Sequence, residues 1–200
     1  MNKTAEVIMA GTGGRGVLLS GLLLARAAMQ RYKYVTWSPT YGAAMRGGSC
    51  ECTVILSDDD ITSPVLSHAD TVLAIAANQA KPFEDRIKAG GLLITESAGL
   101  QGLAELYGLK LEREDIRRME VPAIEMASHL GNIQSANLIL LGAYLGATRV
   151  FPLEMLEEEV DRRLGRKKEL RIGVTAMQVN KEALREGFIL GEEFTSGARA

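Results

Sequence analysis

The chain has 200 residues, of which 46% are hydrophobic, and its formal net charge is −2. This length can bury a sizeable core, and no Pro/Gly/Ser-rich linker divides it, so we expect one domain over residues 1–190 and a flexible tail over 191–200. The small net charge gives no reason to expect a nucleic-acid partner. The longest apolar stretch, from Val17 to Ala28, is shorter than the roughly 20 residues of a membrane span, and no signal peptide is evident. We therefore expect a cytoplasmic protein without membrane contact.

Cysteine and histidine are scarce. Cys50 and Cys52 alternate along a predicted strand, so they point to one face and are poorly placed to form a disulfide with each other. Together with His68 and His129 they cannot supply the four cysteines usual for an iron–sulfur cluster, nor an evident zinc site. We expect any redox metal to belong to a partner chain.

The first two thirds of the chain alternates predicted strands and helices. A strand at Glu6–Ala10 leads into a glycine turn at Gly11–Gly16, and a helix follows at Val17–Arg31, where apolar residues recur at helical spacing. A Pro/Gly loop is expected from Ser38 to Gly48. Further strands are predicted at Val35–Trp37, Cys50–Leu56, Thr71–Ala76, Gly91–Thr95 and Met119–Pro122, with a short helix at Lys81–Ala89.

The last third reads as helical, at Asn132–Thr148, Leu153–Leu164 and Lys168–Gly187. Strands that alternate with helices predict a three-layer α/β/α sandwich with a mainly parallel, Rossmann-like sheet, to which these C-terminal helices are added. We expect the apolar helices to bury part of their surface against another chain, so that the isolated chain forms a homodimer.

A glycine-rich loop follows the first strand and opens the first helix. In that position glycines permit a tight turn and let a ligand approach backbone N–H groups. The candidate ligand-binding residues are Gly11, Gly13, Gly14, Arg15 and Gly16. A dinucleotide-binding domain also places a carboxylate near the end of its second strand, but none lies near Val35–Ser38, where Arg31 or Lys33 could serve only a 2′-phosphate. The glycines could equally serve close packing of helix on strand.

A second loop, from Pro39 to Ser49, is too glycine-rich for a helix and too ordered in composition for a linker. No acidic residue occurs between Val7 and Cys50, so its arginine has no nearby carboxylate in sequence. We expect Arg46 to contact a phosphate or an acidic partner. The candidate residues of this loop are Tyr41, Gly42, Arg46, Gly47 and Gly48.

Other polar residues are candidates with competing structural interpretations. Asn132 and Asn137 could contact a ligand, although an asparagine among apolar residues must also find a hydrogen bond of its own. Glu96 follows a predicted strand and could reach the carboxyl edge, where ligands of α/β proteins usually bind. His129 has no catalytic partner evident in the sequence, so we expect it to cap a helix or donate a hydrogen bond there.

Several sequence blocks together carry a resemblance to a known family. They are GTGGRGV at 11–17, VTWSPTYGAAMRGGS at 35–49, VILSDDDITSP at 54–64, HADTVLAIA at 68–76 and VPAIEMASHLGNIQSANLILLGAYLG at 121–146. Their order and spacing resemble the gamma subunit of 2-oxoacid:ferredoxin oxidoreductases over about residues 5–190. Arg15 stands where that family usually has glutamine, and Ala44 stands where it often has an acidic residue.

The resemblance implies a subunit of an enzyme that oxidatively decarboxylates a 2-oxoacid with coenzyme A and passes electrons to ferredoxin. It places thiamine diphosphate and the iron–sulfur clusters in alpha, beta and delta partner chains, so no residue of this chain is assigned a catalytic role. It also implies that the gamma subunit contributes to the coenzyme A side of the complex. The residues alone leave two alternatives open: a stand-alone NADP-binding Rossmann-like reductase, or a non-enzymatic coenzyme A-binding scaffold.

Overall fold

The computed structural model describes residues 4–41, 48–108, 110–164, 169–171 and 174–197. The first 129 residues contain both strands and helices, with the second, third and fourth strands following one another directly in the described chain, and helices dominate the rest. In chain order the elements are β1 (Thr4–Thr12), α1 (Val17–Ala28), β2 (Tyr34–Tyr41), β3 (Ser49–Ser57), β4 (Ala69–Ala74), α2 (Ala80–Glu84), β5 (Ile87–Glu96), α3 (Leu100–Tyr107), β6 (Arg117–Val121), α4 (Ala123–His129), α5 (Ala136–Thr148), α6 (Leu153–Leu164), β7 (Glu169–Arg171), β8 (Val174–Thr175) and α7 (Ala176–Gly197).

Six strands form one mixed sheet in the order β2-β3-β1-β4-β5-β6. The pairs β1–β4, β4–β5 and β5–β6 are parallel, whereas β3 runs antiparallel to both β1 and β2. The segment between β2 and β3 is too short for a crossover helix, so these two strands have to pair antiparallel. The α/β fold is confirmed, and its parallel part is the block formed by β1, β4, β5 and β6.

Side chains alternate between the two faces of the sheet, as the pleat requires. From β1, Val7 and Met9 enter a large core that is covered by α1, α4, α5, α6 and α7. From the same strand, Ile8 and Ala10 enter a smaller core on the other face, together with Phe83 of α2 and the partly buried Leu100 of α3. Helices therefore lie on both faces, and the second face is the more thinly covered.

Helices α5 and α7 pack against each other through glycines. Gly142 and Gly146 of α5 lie against the backbone of α7, and Gly187 and Gly191 of α7 lie against the backbone of α5. A Cβ atom added at any of the four would overlap a carbonyl oxygen of the facing helix. Residues 137–147 of α5 are all buried by this packing within one chain. The apolar surface of α5 is thus covered within the chain, and the homodimer of the isolated chain stays a prediction.

Several predicted boundaries were wrong. The helix expected at Lys81–Ala89 ends at Glu84, because β5 already begins at Ile87. The helix expected at Lys168–Gly187 is preceded by the hairpin of β7 and β8 and spans Ala176–Gly197 instead. The segment expected to form a tail from residue 191 is therefore helical as far as Gly197. Within the described ranges, no helix is both long enough and apolar enough to cross a membrane.

Candidate functional site

The two halves of the sheet diverge between β1 and β4. From β1 the chain proceeds through α1 to β2 and β3 on one side, whereas from β4 it proceeds to β5 and β6 on the other. In open α/β sheets, ligands bind at such a switch point, beyond the carboxyl ends of the strands. The glycine loop after β1 and Ile75 after β4 lie at this point and share one cleft.

The glycine loop adopts backbone conformations that favour glycine. Gly14 and Gly16 have φ values of 93° and 79°, which an L side chain rarely adopts. The Arg15 N–H donates to the Thr12 carbonyl at 3.1 Å, which closes the turn. At Gly11, an added Cβ would lie 2.6 Å from a methyl carbon of Val17. Both structural roles of the loop, the tight turn and the close packing of α1 on β1, are present.

Asn137 holds the start of α1 in place. Its Nδ2 donates to Ser20 Oγ at 3.0 Å, and the same nitrogen lies 2.6 Å from the position a Cβ would take on Gly16. Only 5% of Asn137 is exposed. The asparagine predicted among apolar residues thus does find a hydrogen bond, and the residue also lines the cleft.

The second loop meets the first. The Gly13 N–H donates to the Gly48 carbonyl at 2.9 Å, and Ser49 Oγ donates to Gln79 Oε1 at 2.8 Å. The backbone of Tyr41 is paired with Cys50 at the end of the β2–β3 ladder. The remaining predicted residues of this loop, Gly42, Arg46 and Gly47, lie outside the described residues.

The side chain of Asn132 caps a short turn at the rim of the cleft. Its Oδ1 accepts the Gln134 N–H at 3.3 Å at the start of a single 3₁₀ turn, Ile133–Ser135, that leads into α5. Asn132 and Gln134 both line the cleft, and so does Ile133, which is 58% exposed. Asn132 and Asn137, five residues apart in sequence, therefore belong to the same site.

The cleft has a volume of about 660 Å³. Arg15 is the one charged side chain among the described residues that line it; the others are amides, apolar side chains, alanines and glycines. The lining consists of Gly14, Arg15, Gly16, Leu19, Ile75, Ile124, Asn132, Ile133, Gln134, Ala136, Asn137, Leu138, Leu164, Ala176 and Asn180. Such a surface suits a ligand with an anionic end and an uncharged, partly apolar body.

The structure adds one residue to the lining of the cleft and gives another polar residue a structural role. Asn180, in α7, lines the cleft, and its signal was a polar residue within the buried stripe formed by Val179, Ala183 and Leu184. Glu96 is 1% exposed at the end of β5, and its carboxylate accepts the N–H groups of Ala98 at 2.8 Å and Ile124 at 3.0 Å. It therefore holds the start of α4 beside the cleft and does not face a ligand.

The remaining candidates do not supply a nucleophile or a base at the cleft. Burial raises the pKa of the Cys50 thiol, and it raises the pKa of Cys52 to about 12. Both thiols therefore stay protonated and unreactive at neutral pH. His129 is exposed at the end of α4. The described side chains of the cleft are suited to binding and positioning a ligand.

Comparison with known proteins identifies the family. Residues 6–190 match the model of the family described as pyruvate ferredoxin/flavodoxin oxidoreductase. The 2-oxoglutarate synthase subunit KorC of Methanothermobacter marburgensis is 29% identical over 185 residues, which cover 91% of this chain and 97% of that protein. The ketoisovalerate oxidoreductase subunit VorA of Methanothermobacter thermautotrophicus is 34% identical over 142 residues, which cover 70% of this chain. The match spans only 28% of the length of VorA, which is a longer chain.

Solved structures show the same fold. The gamma subunit of the keto/oxoacid ferredoxin oxidoreductase from Geobacter sulfurreducens superposes with a TM-score of 0.73 at 26% identity, over 94% of this chain and 98% of that one. The 2-oxoglutarate:ferredoxin oxidoreductase from Magnetococcus marinus, with 2-oxoglutarate, coenzyme A and succinyl-CoA bound, gives a TM-score of 0.81 at 22% identity, over 96% of this chain and 31% of that one. Sequence and fold agree along nearly the whole chain, which belongs to the pyruvate ferredoxin/flavodoxin oxidoreductase family.

Proposed function

We propose that this chain is the gamma subunit of a cytoplasmic 2-oxoacid:ferredoxin oxidoreductase. In this proposal, the complex decarboxylates a 2-oxoacid oxidatively, transfers the acyl group to coenzyme A and passes the electrons to ferredoxin. The observation that carries the proposal is the family match over residues 6–190, supported by a KorC relative of nearly the same length. Alpha, beta and delta chains would be the partners, and the solved gamma subunit from Geobacter sulfurreducens supports this division of the complex.

Thiamine diphosphate and iron–sulfur clusters are assigned to those partners. The sequence contains two cysteines, and thiolate-ligated clusters of the common types require four. Within the described residues, no three His, Cys, Asp or Glu side chains come together in a way that could hold a metal ion. These observations support the proposal that the clusters are held by partner chains.

The cleft at the switch point is proposed as the coenzyme A site. Arg15 and the N–H groups at the start of α1 would bind a phosphate, because a guanidinium and unpaired helix N–H groups both favour an anion. Gly11, Gly13, Gly14 and Gly16 would let the ligand approach the backbone. Tyr41, Gly42, Arg46, Gly47 and Gly48 stay proposed contacts of the same ligand, and Asn132 and Asn137 would contact it from the lining of the cleft. The bound coenzyme supplies the thiol that accepts the acyl group.

Purification from the native organism under anaerobic conditions tests the assignment. A tagged copy of this chain should bring down the partner chains as a brown complex, which reduces a dye in the presence of coenzyme A and one 2-oxoacid from a panel of pyruvate, 2-oxoglutarate, branched-chain and aryl substrates. The chain expressed alone should be colourless, without the cluster absorbance at roughly 380–450 nm, and inactive. Turnover by the rigorously pure single chain would contradict the assignment.

A further inference from the structure

The polar side chains that line the cleft differ in whether the fold satisfies them. Asn137 donates to Ser20, and Asn132 accepts the Gln134 N–H. Asn180 lies in the same cleft with only 8% of its surface exposed, yet its side chain makes no hydrogen bond within the described part of the chain. Among these three amides, Asn180 is the one that the fold leaves without a partner.

Asn180 occupies a position at which α7 otherwise carries apolar side chains. It stands in the inward stripe of the helix, where the neighbouring buried residues include Val179, Ala183 and Leu184. Its amide lines the cleft and is not bonded to another described group of the chain, so it is available to pair with a ligand there. The glycine contacts between α5 and α7 keep the helix close to the cleft. A ligand that occupies the cleft would provide the missing partner.

The composition of the cleft indicates which part of a ligand reaches Asn180. The positive charge comes from Arg15, in the glycine loop, whereas Asn180 comes from α7, and apolar side chains such as Leu19 and Leu164 also line the cleft. A phosphate is therefore favoured at the loop, and an uncharged arm is favoured along α7. In dinucleotide-binding domains, an Asp or Glu side chain usually binds the ribose hydroxyls. No Asp or Glu is among the described residues that line this cleft, which disfavours a dinucleotide as the ligand.

We infer that Asn180 is a ligand-binding residue that hydrogen-bonds an amide in the uncharged arm of the ligand. This inference rests on the proposed function, in which the ligand is coenzyme A, whose pantetheine arm is partly apolar and carries two amide groups. An asparagine side chain offers one acceptor and two donors, so it can pair with either group of a peptide-like amide. Helix α7 then forms the specificity-determining wall of the site, and the glycine loop holds the anionic end.

The test compares two ligands that share one end. The full 200-residue chain is titrated calorimetrically with coenzyme A and with adenosine 3′,5′-bisphosphate, which lacks the pantetheine arm. Asn180→Leu should weaken binding of coenzyme A about fivefold to tenfold, which corresponds to one lost hydrogen bond, and should leave the affinity for the bisphosphate within about twofold. Glu182→Gln, on the exposed side of the same helix turn, should change neither affinity.

A melting temperature and a second variant distinguish a binding role of Asn180 from a structural one. The melting temperature of unliganded Asn180→Leu should stay close to that of the wild type, because the amide that is replaced makes no hydrogen bond within the described part of the chain. Asn180→Ala gives a second variant without the amide, in case the larger leucine interferes with folding. Equal coenzyme A affinity in wild type and variants, or equal weakening of both ligands, would overturn the inference and leave the proposed function standing. A wild-type chain that binds neither ligand would instead overturn the proposed site itself.

Discussion

Two buried polar side chains, one at each end of the sheet, differ in whether the chain provides their hydrogen-bond partners. Near the amino ends of β5 and β6, Glu84 is fully buried, and its carboxylate accepts the backbone N–H groups of Glu112 and Arg113 and contacts Lys81 at 3.0 Å and Arg118 at 3.2 Å. Beyond the carboxyl ends, Asn180 is almost as deeply buried and makes no hydrogen bond within the described chain.

This difference predicts that the amino end of the sheet contributes mainly to stability and the carboxyl end mainly to ligand binding. When a buried charge is saturated by donors from its own chain, removing one of the partners costs several kcal/mol, because the remaining group is left buried without compensation. A buried amide without a partner stabilises nothing in the free protein, but it is available to a ligand. The amino end is therefore expected to respond to mutation through unfolding, and the carboxyl end through ligand affinity.

The largest loss of stability is expected for a substitution in the contact between α5 and α7, because this contact also fixes the position of Asn180. Gly187→Ala places a Cβ against the carbonyl group of Ile139, and neither backbone can move away without separating α7 from α5. We expect a loss of about 3 kcal/mol in the free energy of unfolding, measured by denaturant titration. Asn180 would move with α7, so ligand binding should weaken as well.

Gly197→Ala is the matched control for that substitution. Gly197 ends the same helix, and a Cβ added there would meet no atom within 4 Å. The change should leave stability within about 0.5 kcal/mol of the wild type. If Gly187→Ala were as mild as the control, the glycine contacts between α5 and α7 would not determine how these helices pack.

Glu84→Gln should have the next largest effect. The change removes charge-assisted hydrogen bonds to Lys81 and Arg118, each of which contributes about 1.5–3 kcal/mol when a charged group takes part. Glu112→Gln is the control, because Glu112 contacts the same lysine at 2.8 Å with a side chain that is 76% exposed. Urea titration at neutral pH should show a clear loss for Glu84→Gln and a loss below about 1 kcal/mol for Glu112→Gln.

The Glu84 substitution should also change the pH dependence of stability. Burial alone would raise the pKa of Glu84, but hydrogen bonds from the Arg113 backbone and from Lys81 lower that pKa below its ordinary value of 4.5. The folded pKa is thus below the unfolded one, so the carboxylate stabilises the fold fully above about pH 4.5, and this contribution is lost as the pH falls through the lowered value. The acid limb of the stability curve should be flatter in Glu84→Gln, and an unchanged limb would contradict this origin.

The features that could be predicted from sequence are local ones. The glycines indicate the tight turn between β1 and α1, but β1 continues through Gly11 to Thr12, so the turn is shorter than the predicted Gly11–Gly16. Helix α6 has the predicted bounds, Leu153–Leu164, because its apolar stripe repeats at helical spacing. Asn132 and Asn137 were assigned to a site by the family resemblance. The structure brings both to the cleft, and their contact with coenzyme A stays a prediction.

The features that could not be predicted depend on residues far apart in sequence. The donors to Glu84 at Glu112 and Arg118 are 28 and 34 residues away from it, so no local pattern indicates them. Asn180 interrupts an apolar stripe, a pattern that by itself indicates no binding role, and its proposed role depends on a cleft whose other walls include residues of α1 and α5. Glu96 was misread because its partners belong to α4 and the segment before α3.

The smallest effect on stability, and a clear effect on binding, is expected for Arg15→Gln. Arg15 is exposed at the cleft and forms no ion pair among the described residues, so its loss should change the free energy of unfolding by less than about 0.5 kcal/mol. Its contact with a ligand phosphate should contribute near the lower end of the range for charged groups, so coenzyme A and adenosine 3′,5′-bisphosphate should both bind roughly tenfold more weakly. The wild-type affinity should fall as salt is raised, and the variant should show a weaker salt dependence.

Arg31→Gln controls for the loss of one positive charge in the same basic N-terminal region. Arg31 lies just beyond the far end of α1, where it pairs with Asp58 at 3.5 Å, and it does not line the cleft. It should leave both affinities within about twofold, because exposed charges farther apart than a Debye length, about 8 Å at physiological salt, are largely screened. Equal weakening by the two substitutions would mean that the ligand senses only the overall positive charge of this region. Weakening by Arg15→Gln alone, for both ligands, together with weakening by Asn180→Leu for coenzyme A alone, would assign the anionic end of the ligand to the glycine loop and its uncharged arm to α7.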